Sequence, residues 1–391
     1  MNVAGQKFTH HNLRMIEPSF GSPITDLILE LEHLRRKQLG GTTQPGIFFQ
    51  LKHIFHMLES LGSARIEGNN TTIAEYIETK IEKHDTNTPE GIREIQNIEK
   101  TMDFIEEYIL EGRPLNRAFV SDIHKKTVEK LSPIKEGDYT PGEYRKQNVQ
   151  ITNSLHLPPD FLKINEYMEE LFEFVNKNDR PKYDLIKVAI AHHRFVWIHP
   201  FTNGNGRTVR LFTYALLVKL RFNVAKGHER ILNPTAIFCS NRDKYYNKLA
   251  CADVGTEEGI LEWCSYVLEG LKEEIEKIDR LADYTYLKKE ILQPTLQYAL
   301  DHQHITEMES KILKKALEKQ TIQAADIKEF FPGKLGSEIS RQIRRLINKN
   351  MLTPETKNGK KYFIRFDNSY LLRGIIKALS QRDFLPIKDD I

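Results

Sequence analysis

Residues 199–210 have the sequence HPFTNGNGRTVR, and the fold around them follows from their local chemistry. Pro200 lacks a backbone donor and disfavours helical geometry at the preceding residue, so His199 is predicted at the exit of a helix spanning residues 183–197. Two glycines then permit a tight turn with exposed N–H groups. The apolar run 211–220 predicts a buried helix, and a helix start preceded by such a turn can bind an anion.

Arg207 and Arg210 stand in the first turn of that helix. This position normally favours Asp or Glu, because a helix N-terminus carries a partial positive charge. A spacing of three places both guanidinium groups on one helix face, where their planar forks fit neighbouring phosphate oxygens. The pattern therefore predicts a site for a nucleotide polyphosphate. The alternative is that both arginines pair with carboxylates elsewhere in the fold.

The segment resembles the signature of the Fic family, HxFx(D/E)GNGRxxR, and departs from it only at Asn203. The resemblance implies transfer of AMP from ATP to a hydroxyl side chain of a target protein, with pyrophosphate leaving. It implies His199 as the general base that takes the proton of the attacking Ser, Thr or Tyr, since an imidazole titrates near neutral pH. It assigns the phosphates to a set of residues in the loop and the first helical turn: Gly204, Asn205, Gly206, Arg207 and Arg210.

Asn203 stands where the family more often has a carboxylate. The resemblance implies that this residue helps to hold Mg²⁺ against the α- and β-phosphates. A neutral amide is a weaker ligand for a hard cation, but the triphosphate can supply most of the oxygen ligands. ATP and Mg²⁺ are therefore the expected cofactors.

Residues 141–159 contain the alternating stretch Val149-Gln150-Ile151, followed by turn-forming residues, and this pattern predicts a β-hairpin. In the Fic family the corresponding hairpin is the flap, which lies over the nucleotide and pairs with an extended target segment by strand addition. The resemblance therefore includes Val149 and Ile151 in the nucleotide and target site. An ordinary surface hairpin is the alternative.

A helix is predicted from residue 242 to residue 253, with Tyr245 and Tyr246 side by side near its start. It resembles the adenosine-binding helix of the family, which offers ring faces and a hydroxyl to the base and ribose. Tyr245, Tyr246 and Asp253 are accordingly expected to contact the nucleotide. The alternative is that the tyrosines pack in the core.

Residues 63–69, SARIEGN, follow an apolar helix predicted over residues 47–61 and resemble the inhibitory motif (S/T)xxxE(G/N). With Ser63 as its first residue, the motif implies that Glu67 pairs with Arg210 and occupies space needed by the γ-phosphate. An Arg–carboxylate pair is strong when bidentate, and loss of one partner frees the other for a competing anion. A solvent-facing glutamate is the alternative.

The composition indicates a multidomain protein of 391 residues with a net charge of only +3. The three cysteines, Cys239, Cys251 and Cys264, show no metal-binding spacing and leave an odd thiol, as expected in a reducing compartment. The N-terminal sequence lacks the apolar core of a signal peptide, and no apolar run is long enough to span a membrane. A cytoplasmic protein is expected.

Beyond residue 257 the pattern predicts a long amphipathic helix over 259–282, a second helix from about residue 286 with an interruption near Pro294, and then a separate module. In that module a cap at Thr306 opens the first helix, residues 323–331 and 337–347 give two more, and residues 351–366 predict a two-stranded wing. Asn358-Gly359 predicts a type I′ turn between the wing strands. The fold class is therefore mainly α: a helical core with a hairpin flap, followed by a C-terminal winged helix-turn-helix.

Four regions are predicted: an N-terminal helical segment with the inhibitory motif (1–100), the catalytic core (101–265), a helical linker (266–304) and the winged-helix module (305–391). The last module holds 18 Lys and Arg against 11 Asp and Glu, a net charge of +7. DNA is therefore a candidate partner, with dimerisation or protein docking as the alternative use of the module. Truncation near residue 300 is expected to leave self-modification measurable, because no signature residue lies beyond it.

The sequence as a whole predicts a self-inhibited protein adenylyltransferase whose partners are a target protein docked on the flap and the chain itself. Two alternatives remain open at this stage. In some relatives such a glutamate orients a water that removes AMP from a modified protein, so AMP removal at the same site is one. A DNA-binding regulator that senses a nucleotide is the other. A homodimer is left open.

Overall fold

The computed structural model describes residues 7–36, 42–82, 88–109, 114–152, 154–221, 224–226, 229–231, 236–367 and 369–386. Helices dominate this part of the chain, which confirms the predicted mainly α class. The strands in the described residues are short and form two separate antiparallel pairs. None of the helices described combines the length and apolar character needed to cross a bilayer.

The N-terminal part is built from five helices: α1 Pro23–Arg36, α2 Pro45–Ile66, α3 Ile73–Glu82, α4 Glu90–Tyr108 and α5 Arg117–Thr127. Helix α2 begins with Pro45 at its first position, and the Gln44 side chain accepts a hydrogen bond from the backbone N–H of Ile47 at 2.9 Å. Its C-terminal half is almost wholly buried. The helix therefore runs through the core and delivers its last turn to the interior.

The central part contains a further set of elements: α6 Ile164–Asn176, α7 Asp184–Ile198, α8 Asn205–Lys219, β1 Val224–Lys226, β2 Glu229–Ile231, α9 Ala236–Cys239, α10 Arg242–Asp253 and α11 Glu257–Ala282. Helices α7 and α8 pack against each other, with α6 and α11 against α7 and with α4 and α5 against α8. Both α7 and α8 are buried on nearly all sides. The position of the turn that joins α7 and α8 is therefore set by the four helices packed around them.

Helix α7 begins at residue 184 and α8 ends at residue 219, so the two helices predicted around the signature are present. The predicted boundaries at residues 100 and 265 fall inside α4 and α11. Neither position therefore coincides with a break in secondary structure.

The described cysteines Cys239, Cys251 and Cys264 are free thiols.

The remaining elements are α12 Tyr284–Tyr286, a π-helical segment Leu287–Leu292, α13 Gln293–Asp301, α14 Glu307–Lys319, a 3₁₀ helix Ala324–Phe330, α15 Gly336–Asn348, β3 Leu352–Pro354, β4 Tyr362–Ile364 and α16 Leu371–Ser380. The predicted interruption near Pro294 takes the form of a change in helix type rather than a break. The π-helical segment leads directly into α13, and Pro294, which lacks a backbone N–H, is the second residue of α13.

The capping box at Thr306 is present as predicted, since its hydroxyl accepts from Glu309 N and the Glu309 carboxylate accepts from Thr306 N. Strand β3 pairs with β4 in antiparallel register, Leu352 opposite Ile364. The type I′ turn at Asn358-Gly359 is wrong, because both residues keep negative φ and Gly359 N donates to Thr356 O at 2.8 Å within a longer connection.

The C-terminal elements pack on the N-terminal helices. The Gln50 amide of α2 donates to Ile364 O at 2.8 Å and accepts from Phe366 N at 2.7 Å. An added Cβ at Gly46 would lie 2.4 Å from the Phe363 ring, so this ring packs directly on the backbone of α2 at Gly46. Truncation near residue 300 would strip these contacts from α2. That self-modification stays measurable after such a truncation remains a prediction, and loss of these contacts would lower the stability of the truncated chain.

Candidate functional site

His199 ends α7 in the left-handed region, with φ 51° and ψ 61°. A non-glycine residue in this conformation is strained and persists only where its surroundings hold it. The backbone N–H of His199 still donates to Phe195 O at 3.0 Å, and the Arg145 guanidinium donates to His199 O at 2.9 Å. The half-buried imidazole is thereby fixed at the mouth of the loop, at the helix exit that the sequence predicted.

Gly204 adopts φ 71° as the N-cap of α8. A Cβ at this position would lie 2.9 Å from Val128 and 3.3 Å from the His124 ring, so glycine is required for both backbone and space. The Asn205 side chain accepts from Phe201 N and donates to Phe201 O, both at 2.9 Å. Asn205 therefore braces the loop from within, and the predicted phosphate contact through its backbone remains a prediction.

His124 of α5 contacts the signature loop and stabilises it, and no motif in the sequence indicated this role. Its Nδ1 accepts from Gly142 N at 2.8 Å, so Nε2 carries the proton and donates to Asn203 O at 3.0 Å. Its ring stacks on Phe201 with centroids 3.8 Å apart and planes within 4°. This histidine links α5, the segment near residue 142 and the signature loop.

Glu67 and Arg210 are in direct contact. Arg210 Nη2 donates to Glu67 Oε1 at 2.7 Å and to Ser63 O at 2.9 Å, while its Nε donates to the Ser63 hydroxyl at 2.8 Å. The arginine is 1% exposed. The structure thus brings the two residues together over 143 positions of sequence, as the motif implied.

The Glu67 carboxylate also lies over the glycine loop. A Cβ built on Gly206 would be 2.1 Å from Glu67 Oε1, so the carboxylate is seated against the backbone at the start of α8. A helix N-terminus with exposed N–H groups favours a negative charge at this place. Glu67 therefore occupies the position that the sequence analysis predicted for a phosphate.

Charge at this site keeps Glu67 ionised. Burial raises the pKa of the Glu67 carboxyl, but Arg210 and then Arg207 outweigh burial and hold that pKa below its usual value. Burial likewise lowers the pKa of Arg210, and the Glu67 carboxylate more than reverses this effect. The pair is therefore fully charged at neutral pH.

Arg207 is engaged by two carboxylates that the sequence analysis did not identify. Its Nη1 donates to Glu94 Oε1 at 2.7 Å, and its Nη2 donates to Glu136 O at 2.8 Å and lies 3.1 Å from Glu136 Oε2. Glu94 is 2% exposed and also accepts from the Asn69 amide at 2.8 Å. The turn that carries Glu67 is therefore connected to Arg207 as well, through Asn69 and Glu94.

Both signature arginines thus pair with carboxylates, which was the structural alternative considered from the sequence. Pairing with carboxylates is compatible with phosphate binding at the same arginines, because a carboxylate that fills an anion site can be displaced by a stronger anion. Among the described residues, the Arg207 Nε and the Arg210 Nη1 atoms are buried without a hydrogen-bond partner. Such unsatisfied donors are costly in a protein interior, and phosphate oxygens would satisfy them.

His199 is neutral at physiological pH. Burial and, to a smaller extent, the nearby Arg145 guanidinium lower the pKa of the imidazole to about 4. The Val196 carbonyl acts in the opposite direction but does not outweigh them. Its Nδ1 lacks a hydrogen-bond partner. A neutral imidazole is the form that can accept a proton.

The predicted flap hairpin is not formed. Residues 141–159 are described except for residue 153, and they contain no strand. Arg145 accounts for part of this difference, because its guanidinium donates to Gln147 O at 2.9 Å and Pro159 O at 2.6 Å and so takes carbonyls that a ladder would need. Val149 and Ile151 are half-buried in an irregular segment anchored to the His199 turn.

Two of the three residues predicted for the adenosine pocket have partners inside the fold. Tyr245 is 2% exposed and its ring packs on Trp263 and Phe238, with its hydroxyl 2.9 Å from His192 Nε2. Asp253 is 2.9 Å from His193 Nε2, and the two form an ion pair when that histidine is protonated. The core alternative therefore holds for Tyr245, and Asp253 pairs with α7.

Tyr246 differs from its neighbour, since 41% of its surface is exposed. The Arg242 guanidinium lies 5.7 Å from its ring centroid. Glu67, Arg210 and Arg242 all act on the pKa of its hydroxyl, which burial raises. Tyr246 thus remains the tyrosine of α10 with an accessible ring near the Glu67–Arg210 pair.

Asn203 offers one oxygen as a ligand for Mg²⁺. Its amide nitrogen donates to Lys135 O at 2.6 Å and Gly137 O at 3.0 Å, which turns Oδ1 toward Gly204 N at 2.7 Å. The described residues contain no cluster of three acidic, histidine or cysteine side chains around a common point. Mg²⁺ usually takes one or two protein ligands plus phosphate oxygens and water, and the residues present fit that mode through Asn203 Oδ1.

The buried histidines predict a loss of stability in acid. Burial lowers the pKa of His124 to about 4 and that of His56 to about 3, whereas an unfolded histidine titrates near 6.5. The unfolded chain therefore binds more protons than the folded chain between these values, so the free energy of unfolding falls as pH drops from about 6.5 towards 4. Each such histidine contributes up to about 1.4 kcal/mol per pH unit in that window.

Thermal melting of the parent and of His124→Gln at pH 7.5 and pH 5 tests this prediction. Glutamine retains a donor and an acceptor but does not titrate. The variant should lose less of its melting temperature between the two pH values than the parent does. An equal loss in both proteins would contradict the role of His124.

Comparison with known proteins gives a consistent result. The model of the Fic/DOC family matches residues 114–217. The proteins named protein adenylyltransferase Fic from Drosophila virilis and from Aedes aegypti are each 28% identical to this chain, over 212 and 210 residues. These matches cover 53% and 52% of this chain but 38% and 37% of the relatives, so the chain spans well under half the length of the curated relatives it matches.

Solved structures share the fold. A Fic family protein from Desulfovibrio desulfuricans superposes with a TM-score of 0.52 at 17% identity, covering 88% of this chain and 96% of that one. Fic-1 from C. elegans gives a TM-score of 0.51 at 18% identity, covering 65% and 71% of the two chains. The family match falls on α5 to α8, the helices that build and support the signature loop, so the part of the chain that is similar to the Fic/DOC family is the part that forms this site.

Proposed function

We propose that this chain is a self-inhibited protein adenylyltransferase, which moves AMP from ATP to Ser, Thr or Tyr hydroxyls of a target protein and of itself. The observation that carries the proposal is the Glu67 carboxylate seated between Gly206 and Arg210 at the start of α8. A carboxylate held there by a buried arginine marks an anion site next to a neutral histidine. The names of the curated relatives support the same reaction class.

The reaction needs a base, an anion site and a leaving group aligned with the attacking oxygen. His199 would accept the proton of the target hydroxyl as its oxygen forms a bond to the α-phosphorus and the bond to the β-phosphate breaks. Pyrophosphate leaves with the electron pair of that bond. Arg207, Arg210 and the backbone N–H groups of the glycine loop would stabilise the charge on the β- and γ-phosphates.

Mg²⁺, when bound, would neutralise part of the phosphate charge, and Asn203 Oδ1 would be its ligand from this chain. The protein's own contribution is positional. Arg145 and the Phe195 carbonyl hold the strained His199 turn, and Asn205 fixes the loop from inside. Val149 and Ile151 would receive the target segment, with main-chain pairing forming only when that segment binds.

Self-inhibition follows from competition for one site. A γ-phosphate that reaches Arg210 must displace the Glu67 carboxylate, and the Ser63 contacts hold the guanidinium in the conformation that favours the carboxylate. ATP would therefore bind without the alignment of its α-phosphorus that attack requires. Removal of Glu67 would open the space that the γ-phosphate needs and leave the positive charge of Arg210 available to it.

ATP labelled at the α-phosphorus and, separately, at the γ-phosphorus tests the reaction class. Incubated with the full chain carrying Glu67→Gly, the α-label should enter protein and the γ-label should not. Mass spectrometry should find AMP on Ser, Thr or Tyr. Transfer of the γ-label would indicate a kinase, and hydrolytic release of AMP from already modified protein by the parent chain, without any incorporation by the variant, would indicate AMP removal.

A further inference from the structure

The C-terminal elements follow a defined order after residue 305. Helix α14 is followed by Ile322, which pairs with Tyr362 of β4, then by the 3₁₀ helix, α15 and the strands β3 and β4. Three helical segments and a small antiparallel sheet in this order form a winged helix-turn-helix, in which the third helix enters the major groove and the wing lies beside the backbone. Here these elements are α15 and the β3–β4 loop.

Helix α15 is strongly amphipathic. Ile339, Ile343 and Leu346 are buried against the module. The opposite face is exposed and carries Ser337, Ser340, Arg341, Arg344, Arg345 and Asn348. Apart from Leu335 at the N-cap, which is 72% exposed, the exposed side chains of α15 are polar and mostly basic, so they offer little apolar surface to a packed protein partner.

The charges on this face fall into two classes. Arg345 and Lys349 both lie close to Glu309 of α14, at 3.4 Å and 2.7 Å, and are partly neutralised. Arg341 and Arg344 have no carboxylate partner among the described residues; Glu338, the acidic residue of α15, stands three positions before Arg341 and lies 3.6 Å from Lys334. Two of the exposed guanidinium groups are therefore free to bind an anion.

The β3–β4 loop adds three more exposed cations, Lys357, Lys360 and Lys361, which likewise have no carboxylate partner in the described structure. The acidic groups near this surface are few. Glu338 lies 3.6 Å from Lys334, and Glu355 at the end of β3 is exposed. The surface thus combines a helix face and an adjacent loop that both carry uncompensated positive charge.

We propose that α15 and the β3–β4 loop form a binding surface for duplex DNA. The exposed arginines of the helix would reach base edges and phosphates of the major groove, and the loop lysines would contact the neighbouring backbone. The two arginines of α15 and the three lysines of the loop are exposed cations without a carboxylate partner in the described structure, and a phosphate backbone is the polyanion that such charges bind. This inference is independent of the proposed AMP transfer, because none of its residues belongs to the signature loop.

Fluorescence anisotropy with a labelled duplex of mixed sequence tests the proposal on the full chain. The parent should bind at low salt, and log affinity should fall against log salt with a slope of about −4.5, as expected for five phosphate contacts. Arg341→Ala/Arg344→Ala should weaken binding by at least about tenfold and make the slope shallower by about 2. Melting temperatures of parent and variant should agree, since both side chains are exposed.

A matched control removes the same charge from the same module. Lys311 and Lys314 are exposed on α14 and belong to neither α15 nor the β3–β4 loop, and Lys311→Ala/Lys314→Ala should keep affinity within about twofold of the parent. Equal losses in both double variants would mean nonspecific charge attraction and would overturn the assignment to α15. No binding by the parent at low salt would overturn it too, as would loss of a homodimer in the arginine variant without any DNA affinity.

Discussion

Replacement of Glu67 by glycine should raise AMP incorporation by roughly 10- to 100-fold, because the lost contact is a charge-assisted hydrogen bond of about 1.5–3 kcal/mol that competes with ATP. The Arg210 guanidinium, now held by Glu67 and Ser63, would then be available to the γ-phosphate. Labelled AMP incorporation in the parent and in the variant measures the change.

Glu67→Gln and Ser63→Ala are the matched controls. Glutamine keeps the shape and one acceptor oxygen but loses the charge, so a smaller gain is expected. Ser63→Ala removes the contact to Arg210 Nε and leaves the carboxylate in place. Its gain should be smaller still.

The combination Glu67→Gly with Arg210→Ala separates release of the arginine from mere removal of a carboxylate. If the freed guanidinium binds the triphosphate, the double variant should lose most of the gain, and the two changes should be strongly non-additive, as expected for residues in contact. A double variant as active as Glu67→Gly would remove Arg210 from phosphate binding. A Glu67→Gly protein no more active than the parent would end the inhibitory assignment.

His199→Ala in the Glu67→Gly background should reduce AMP transfer by ~10²–10⁴-fold, the usual contribution of a general base. ATP affinity, measured by calorimetry, should change little, because the phosphates are assigned to the loop and to the arginines. The imidazole is neutral at pH 7, since burial and Arg145 lower its pKa to about 4, so the wild-type base is fully available there.

His193→Gln is the control for this experiment. His193 lies on the same helix but pairs with Asp253, and glutamine can still donate to that carboxylate. Transfer should stay within a few-fold of the background protein. Comparable losses in both variants would point to damage of α7, and near-normal transfer by His199→Ala would remove this residue from catalysis.

The signature region was the part of the site most accessible from sequence, because its geometry is local. Pro200 ends α7 at His199, and Gly204 supplies the left-handed N-cap of α8. These effects depend on a few adjacent residues. The same holds for the Thr306 capping box and for the long helix α11, which a repeated apolar spacing predicted.

Two predictions made from local patterns differ from the structure, because contacts with distant residues intervene. Alternating side chains suggested a flap hairpin, but the Arg145 guanidinium takes backbone acceptors in that segment. Tyr245 and Tyr246 are adjacent in sequence, yet helical rotation buries the first against Trp263 and exposes the second. Nothing in the local pattern distinguishes these two outcomes.

The sequence by itself determined the mainly helical class, the helix–loop–helix at residues 199–210 and the candidate pair Glu67 and Arg210. The tertiary structure decided how Arg207 is paired, since Glu94 and Glu136 come from segments whose approach no local propensity encodes. It also decided that the C-terminal module packs on α2 through Gln50. The physical reason is that turns and caps are set by neighbouring residues, whereas buried charges and polar groups are satisfied by whatever the completed fold brings within hydrogen-bonding distance.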